Sequence, residues 1–156
     1  MLSGLGEAVE GLPLVRLIVL LPWVYPVISA LHILGLGILL GAITAVDLRL
    51  LRLLGPSLDP ALPVLVRMAL CGFALAAGAG LLLASVRLGD YLGNPVFLVK
   101  MGLVFLAGLN ALALRIAEGR FVPLPEAATR RSRLAAALSL VLWTSALFAG
   151  RWIAFS

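Results

Sequence analysis

The chain has 156 residues, of which 63% are hydrophobic and 12% charged, with a formal net charge of +5 and one cysteine. Soluble domains are about half apolar and a quarter charged, so the composition excludes a soluble globular protein. Cys71 alone excludes an intramolecular disulfide. The basic residues lie at the ends of apolar segments, so the charge does not indicate a nucleic-acid partner. We expect one membrane domain over residues 1–156, with the lipid bilayer as a partner.

The first segment, from about residue 3 to 21, is broken at Gly11-Leu12-Pro13 and contains charged residues. It is too interrupted to span a membrane, and we predict an amphipathic segment that lies at the interface. Trp23 and Tyr25 follow it. Aromatic residues of this kind are typical of the headgroup level of a bilayer.

Four apolar blocks come next, each close to the length of about 20 residues that a helix needs to cross a bilayer. Gly-Pro and Asn-Pro pairs in the connections mark the breaks between them. The predicted fold class is all-α: an integral membrane four-helix transmembrane bundle with an N-terminal interfacial amphipathic segment. The predicted transmembrane helices cover about residues 26–46, 62–86, 95–116 and 133–153.

Basic residues predict the orientation of the bundle. Cytoplasmic loops carry an excess of arginine and lysine, and here the first and third loops hold most of the arginines. Both termini are therefore predicted to lie outside. Among the cationic residues only Lys100 is a lysine, as expected for a GC-rich bacterium, so the predicted location is the bacterial inner (cytoplasmic) membrane.

Small or polar residues repeat along one face of each predicted span, which suits close packing of helices in a membrane. In the first span this face includes a GxxxG pair, and in the second it includes Cys71, expected to be buried as a small apolar residue. The four faces comprise Ala30, Gly37, Gly41 and Thr44; Arg67, Cys71, Ala74, Gly78 and Ser85; Lys100, Val104, Ala107 and Ala111; and Ser139, Trp143, Ala146 and Gly150.

Ionisable residues inside a membrane are costly and mark candidate sites. At 1.5 Å per residue, His32 lies about 9 Å below Pro26 and Lys100 about 7–8 Å below Pro95. The only histidine and the only lysine are thus predicted to share a layer under the outer face. Ser85 is predicted to reach the same layer.

Each residue of this outer layer has two interpretations. His32 could bind haem iron or titrate, or it could hydrogen-bond between helices as packing. Lys100 could contact an anion or a cofactor, or extend its amine to the interface. Trp143 and Arg151 are further candidates for a ligand or cofactor site, and Arg151 also suits an interface anchor.

A second polar layer is predicted on the cytoplasmic side. Asp47 and Arg49 end the first span and Arg67 begins the second, and Asn110 and Arg115 of the third span are further candidates for this layer. An Asp47–Arg67 pair is the expected contact, either as a structural ion pair or as part of a second site.

A set of short motifs covers nearly the whole chain: Trp23-x-Tyr25-Pro26, His32-x-x-Gly35, Asp47-Leu48-Arg49-Leu50-Leu51, Asn94-Pro95-x-Phe97-x-x-Lys100 and Gly150-Arg151-Trp152-Ile153-Ala154. Through these motifs the chain resembles a family of small uncharacterised bacterial four-helix inner-membrane proteins. The resemblance implies that His32, Asp47, Arg49, Asn94, Lys100 and Arg151 belong to the family signature, with Asn94 assigned to the structural or second site. Arg52 departs from the family, which more often has glycine there, and Phe155 stands where tyrosine is expected.

Three functions stay open at this stage. The first is a polar intramembrane site near the outer face that binds a cofactor such as haem b or a quinone, which bundles hold between facing helices. With one histidine the haem would be five-coordinate, or Met68, Met101 or a second copy of the chain would supply the other ligand. The second is a transporter or channel for a small solute, ion or proton that works as a homo-oligomer. The third is a structural or assembly subunit that binds a partner membrane protein. No enzyme motif, such as a phosphate loop or a nucleophile elbow, is visible.

Overall fold

A computed structural model describes residues 9–119 and 128–155. Its helices are α1 (Pro13–Leu20), α2 (Val24–Leu50), α3 (Leu62–Ser85), α4 (Leu88–Gly93), α5 (Pro95–Glu118) and α6 (Arg130–Trp152). Two 3₁₀ helices, Pro56–Ala61 and Ile153–Phe155, precede α3 and follow α6. The described residues contain no β-strand, which confirms the all-helical class.

Four helices, α2, α3, α5 and α6, are long and apolar enough to cross a membrane. They cover the four segments in which spans are predicted, as in a multi-pass membrane protein. The helix α4, which lies in the loop between the second and third spans, is not foreseen from the sequence. Its Tyr91 ring packs against Phe97 at the start of α5, with 5.2 Å between the ring centroids.

The helix α1 lies within the predicted interfacial segment; residues 3–8 of that segment are outside the described residues. Ile18 of α1 is buried in a cluster with Ile28 of α2 and Ala79 of α3. This contact attaches α1 to the end of the α2–α3 pair. Its other face still exposes large apolar side chains, which suits the membrane interface: Leu14, Leu17, Val19 and Leu20.

The tightest packing in the molecule joins α2 to α3. A Cβ built on Gly35 would lie 2.6 Å from the backbone nitrogen of Ala76, and one built on Gly72 would lie 2.6 Å from that of Leu39. Carbon and nitrogen atoms do not approach so closely without a bond, so both positions require glycine. The two backbones meet there because neither residue has a side chain.

The contact faces of α2 and α3 differ from the predicted ones. A Cβ on Gly37, Gly41 or Gly78 would meet nothing within 4 Å, and Cys71, expected to be buried, is exposed. At about 100° per residue, Gly35 lies roughly 200° around the helix from Gly37. The prediction is wrong because α2 has small residues on both sides and turns the Gly35 side toward α3.

The predicted face of the last span is buried at two of its four positions, and that of the third span only at Ala107, since Ala111 is exposed. Ala107 of α5 is 1% exposed, and Ser139 and Ala146 of α6 are buried. The helices α5 and α6 pack as a second pair, and α6 also packs against α2. Because α3 and α5 make little direct contact, the bundle is open between them. That opening shapes the candidate site.

The C-terminus of α2 ends in a Schellman motif. The amide of Leu53 donates to the carbonyl of Leu48 at 2.9 Å, and the amide of Arg52 donates to that of Arg49 at 3.0 Å. In this motif the residue after the cap adopts the left-handed conformation, and Arg52 has φ 63°. This is the position at which the resemblance leads us to expect glycine.

We expect Arg52→Gly to stabilise the protein by about 1 kcal/mol, because the left-handed conformation costs an L-residue about 1–2 kcal/mol that glycine avoids. Reversible unfolding in mixed detergent micelles, followed by circular dichroism, measures the difference. Arg52→Ala is the matched control, since it removes the same charge but keeps the strain. If both variants gain equal stability, backbone strain is not the cause.

Candidate functional site

A cavity of about 330 Å³ lies between the four long helices. On α2 its wall runs from Leu39 to Leu50, which is about 16 Å along the helix axis. The cavity therefore starts near the C-terminal end of α2 and extends toward the middle of the span. Residues of α3 and α5 form facing walls on either side of the gap between those helices.

Asp47 lies in the wall of this cavity and is only 4% exposed. The Ser139 side chain of α6 hydrogen-bonds its carboxylate. The second oxygen, Oδ2, is buried and has no hydrogen-bond partner among the described residues. A buried carboxylate oxygen without a donor is unfavourable, so each such atom needs a physical explanation. Asp47 is the strongest indication of a ligand site in the described chain.

Other polar groups line the same end of the cavity and come from α5. Asn110 donates from Nδ2 to the carbonyl of Ala135 at 2.9 Å, which ties α5 to α6. Arg115 and Glu118 lie about 1.4 and 2.2 turns further along α5, and both line the cavity. The lining thus contains two carboxyl groups and one guanidinium.

The rest of the cavity is apolar. Phe73 of α3 and Trp143 of α6 line it and pack edge to face, with ring centroids 6.1 Å apart. Trp143 follows Ser139 by four residues on α6, so it lies about 6 Å further along the axis, roughly one helical turn. The cavity therefore has a polar end at Asp47 and an aromatic wall one turn deeper.

The ion pair next to this site is not the predicted one. Arg49 is 5% exposed and binds Asp59 with two hydrogen bonds, Nε to Oδ1 at 2.6 Å and Nη2 to Oδ2 at 2.9 Å. Asp47 and Arg67 form no ion pair, and Arg67 is exposed. Because α2 continues four residues beyond the predicted end, Asp47 faces the bundle and Arg49 reaches the 3₁₀ helix instead.

His32 lies at the contact between α2 and α3 and does not line the cavity. Its Nδ1 donates to the carbonyl of Ala76 at 2.7 Å. Its ring occupies the space over Gly80, where a Cβ would come within 2.9 Å of Cε1. This is the interhelical hydrogen bond of the packing interpretation. It also leaves Nε2 as the nitrogen able to bind a metal, so haem ligation by His32 stays a prediction.

Lys100 is half-buried at the contact between α5 and α6. A Cβ on Gly150 would lie 3.3 Å from Nζ of Lys100. The lysine side chain therefore packs against α6 at a residue that has no side chain of its own. Lys100 and His32 therefore lie at different helix pairs, although the sequence predicts a similar depth. The structure does not place either residue in the cavity.

The remaining sequence candidates have local partners. Ser85 donates to the carbonyl of Leu82 at 2.7 Å within α3. Asn94 caps α5, since its Oδ1 accepts from the amides of Val96 at 2.9 Å and Phe97 at 3.3 Å. Arg151 lies over the ring of Phe155, 5.3 Å from the centroid. Of the predicted site residues, Asp47 and Trp143 meet at the cavity, together with Asn110 and Arg115 of the predicted second polar layer.

Sequence reasoning missed the cavity and the role of Asp59. The signals were weak: Asp59 lies in a short Ser-Leu-Asp-Pro loop between two spans, and Glu118 lies beyond the predicted end of the third span. Longer helices than the apolar blocks alone predict would have pointed to Glu118 as a lining residue.

Comparison of the chain with known protein families, with curated proteins and with solved structures finds no match.

Proposed function

We propose that this chain is an integral protein of the bacterial inner membrane that binds a small amphipathic molecule in the cavity between its four helices. The polar group of the ligand lies at Asp47 and its apolar body lies along Phe73 and Trp143. The observation that supports this proposal is the buried Oδ2 of Asp47, which lacks a donor at the wall of an apolar cavity. A ligand that donates a hydrogen bond there would satisfy it.

The apolar outer surface of the helices supports a location in the bilayer, which is part of the same proposal. Ala107 is the only buried residue among those described in α5, and large apolar side chains such as Phe105 and Ile116 are exposed along it. In water such a surface would drive association, whereas in lipid it is the normal outer face of a span. With both termini outside, as the arginines predict, the Asp47 end of the cavity faces the cytoplasm.

Access from the bilayer fits the opening between α3 and α5. The cavity is walled by both helices, which do not pack against each other. A lipophilic molecule could therefore pass from the hydrocarbon core into the cavity without crossing water. The volume of about 330 Å³ is at the small end of ligand pockets, which favours a single-ring compound, such as the head of a quinol, over a large macrocycle.

Quenching of Trp143 tests this proposal. Trp23→Phe and Trp152→Phe leave Trp143 as the only tryptophan of the chain. In lipid nanodiscs, 4-bromobenzyl alcohol should quench its fluorescence with a saturable component, because bromine quenches only near contact. Ala111→Phe, which fills the cavity wall, should weaken this binding by about tenfold or more, equivalent to about 1.4 kcal/mol.

Ala113→Phe is the control, since it adds the same bulk to α5 at a residue that does not line the cavity. It should leave the binding unchanged. If quenching is linear with probe concentration in all three proteins, the probe reaches Trp143 only from the bilayer and the proposed function is wrong. The transport, haem and assembly alternatives from the sequence stay predictions.

A further inference from the structure

Three ionisable side chains line the polar end of the otherwise apolar cavity. Two carboxylates, Asp47 and Glu118, line it against the single guanidinium of Arg115. Arg115 and Glu118 are three residues apart on α5, a spacing at which side chains are neighbours on a helix. Asp47 lies on α2, a different wall of the cavity from these two residues of α5.

No basic residue of the described chain forms an ion pair with Asp47. The nearest arginine along α2, Arg49, instead holds Asp59 through two hydrogen bonds. Ser139 gives Asp47 one neutral donor. A buried carboxylate with one neutral donor lacks both a hydrogen bond and a counter-charge, and a protein rarely keeps a buried charge unpaired.

We propose that the cavity binds an organic cation, with an ammonium N–H on Oδ2 of Asp47 and an apolar body against Trp143. This inference rests on the proposed function and names its ligand class. An ammonium supplies both missing features, the donor and the positive charge. A neutral alcohol would supply only the donor, and a carboxylate would be repelled by Asp47.

The dimensions of the site suit such a ligand. Ser139, which bonds Asp47, precedes Trp143 by one turn, or about 6 Å along α6. From its nitrogen to its para bromine, 4-bromobenzylamine extends over about this separation. Its ring would lie beside the edge-to-face pair of Phe73 and Trp143, where aromatic contacts are favourable.

Three probes that share a 4-bromophenyl ring with one attached carbon separate charge from shape. In phosphatidylcholine nanodiscs at pH 7, 4-bromobenzylamine is a cation, 4-bromobenzyl alcohol is neutral and 4-bromobenzoate is an anion. With Trp143 as the only tryptophan, the amine should show saturable quenching at about tenfold lower concentration than the alcohol, with the benzoate weakest. Asp47→Asn should reduce the affinity of the amine to that of the alcohol.

Asp90→Asn is the matched control, because Asp90 is an exposed carboxylate in α4 that pairs with Arg87 at 2.9 Å. It should leave the preference for the amine intact, and it corrects for adsorption of the amine to the protein surface. Should Asp47→Asn fail to fold, Ser139→Ala decides instead. This variant keeps Asp47 but removes its neutral donor, so the preference for the amine should increase, and an unchanged preference would contradict a contact between the amine and Asp47.

The proposal is overturned if amine and alcohol bind equally in the unaltered cavity, or if Asp47→Asn keeps the preference. Saturable binding of the alcohol would then still support the proposed function, whereas no saturable quenching by any probe contradicts both. A second arm identifies the source of the cation. Phosphatidylethanolamine added to the discs should compete with the amine if the ammonium belongs to a lipid headgroup, and should not if the ligand is a free amine.

Discussion

Gly35→Ala and Gly72→Ala should each destabilise the protein by about 2–3 kcal/mol, the cost of forcing extra atoms into a packed contact. In both cases the new methyl group would lie 2.6 Å from a backbone nitrogen of the opposite helix. A backbone atom cannot rotate away as a side chain can, so α2 and α3 would have to separate. The loss should appear as a lower midpoint of reversible unfolding in mixed detergent micelles.

Gly37→Ala and Gly41→Ala are the controls, and their expected effect has the opposite sign. A Cβ at either position meets nothing within 4 Å, and alanine in a helix is favoured over glycine by about 0.5–1 kcal/mol. We expect these variants to be neutral or slightly stabilising. If Gly37→Ala destabilised the protein as much as Gly35→Ala, α2 would use the Gly37 side for a close contact, and the packing described above would be wrong.

These four glycines show how far the sequence determines the bundle. The number and approximate position of the long helices follow from the length of the apolar blocks, which is a local property. Which face of each helix makes contact is not a local property, because it also depends on the surface of the neighbouring helix. The first span has small residues at 35, 37 and 41, and only the surface of α3, with Gly72 and Ala76 aligned, selects Gly35.

The candidate site, like the packing, is only partly predictable from the sequence. Asp47 is identifiable from the sequence, because a carboxylate at the end of a span is costly and rare. Its surroundings are not, because the cavity depends on α3 and α5 remaining apart, and no pattern within either helix predicts a missing contact. His32 illustrates the converse: both interpretations were stated from the sequence, and the geometry adds the interhelical bond to Ala76.

Arg49→Ala should be the most damaging change at the C-terminal end of α2. Removing one partner of a buried ion pair costs about 3–5 kcal/mol, because the other charge remains without its partner. The Arg49 side chain is 7% exposed and that of Asp59 is 29% exposed, so we expect the lower end of this range, about 3 kcal/mol. Arg49→Lys should recover only part of the loss, because an ammonium cannot form the two-pronged contact.

The exposed pair of Arg87 and Asp90 provides the comparison, since its side chains are 74% and 68% exposed. Double-mutant cycles on unfolding in mixed micelles should give a coupling above about 1 kcal/mol for Arg49–Asp59 and below about 0.5 kcal/mol for Arg87–Asp90. Equal couplings would mean that burial does not strengthen the Arg49 pair.

The Arg49 pair and the cavity should also be coupled. Arg49 follows Asp47 by two residues and holds the last turn of α2 against the 3₁₀ helix Pro56–Ala61, through Asp59. If that turn loosens, Asp47 loses its fixed position beside Ser139. Asp59→Asn, measured under conditions in which the protein remains folded, should therefore weaken binding of 4-bromobenzylamine, whereas Asp90→Asn should not. An unchanged affinity in Asp59→Asn would show that the α2 end and the ligand site are independent.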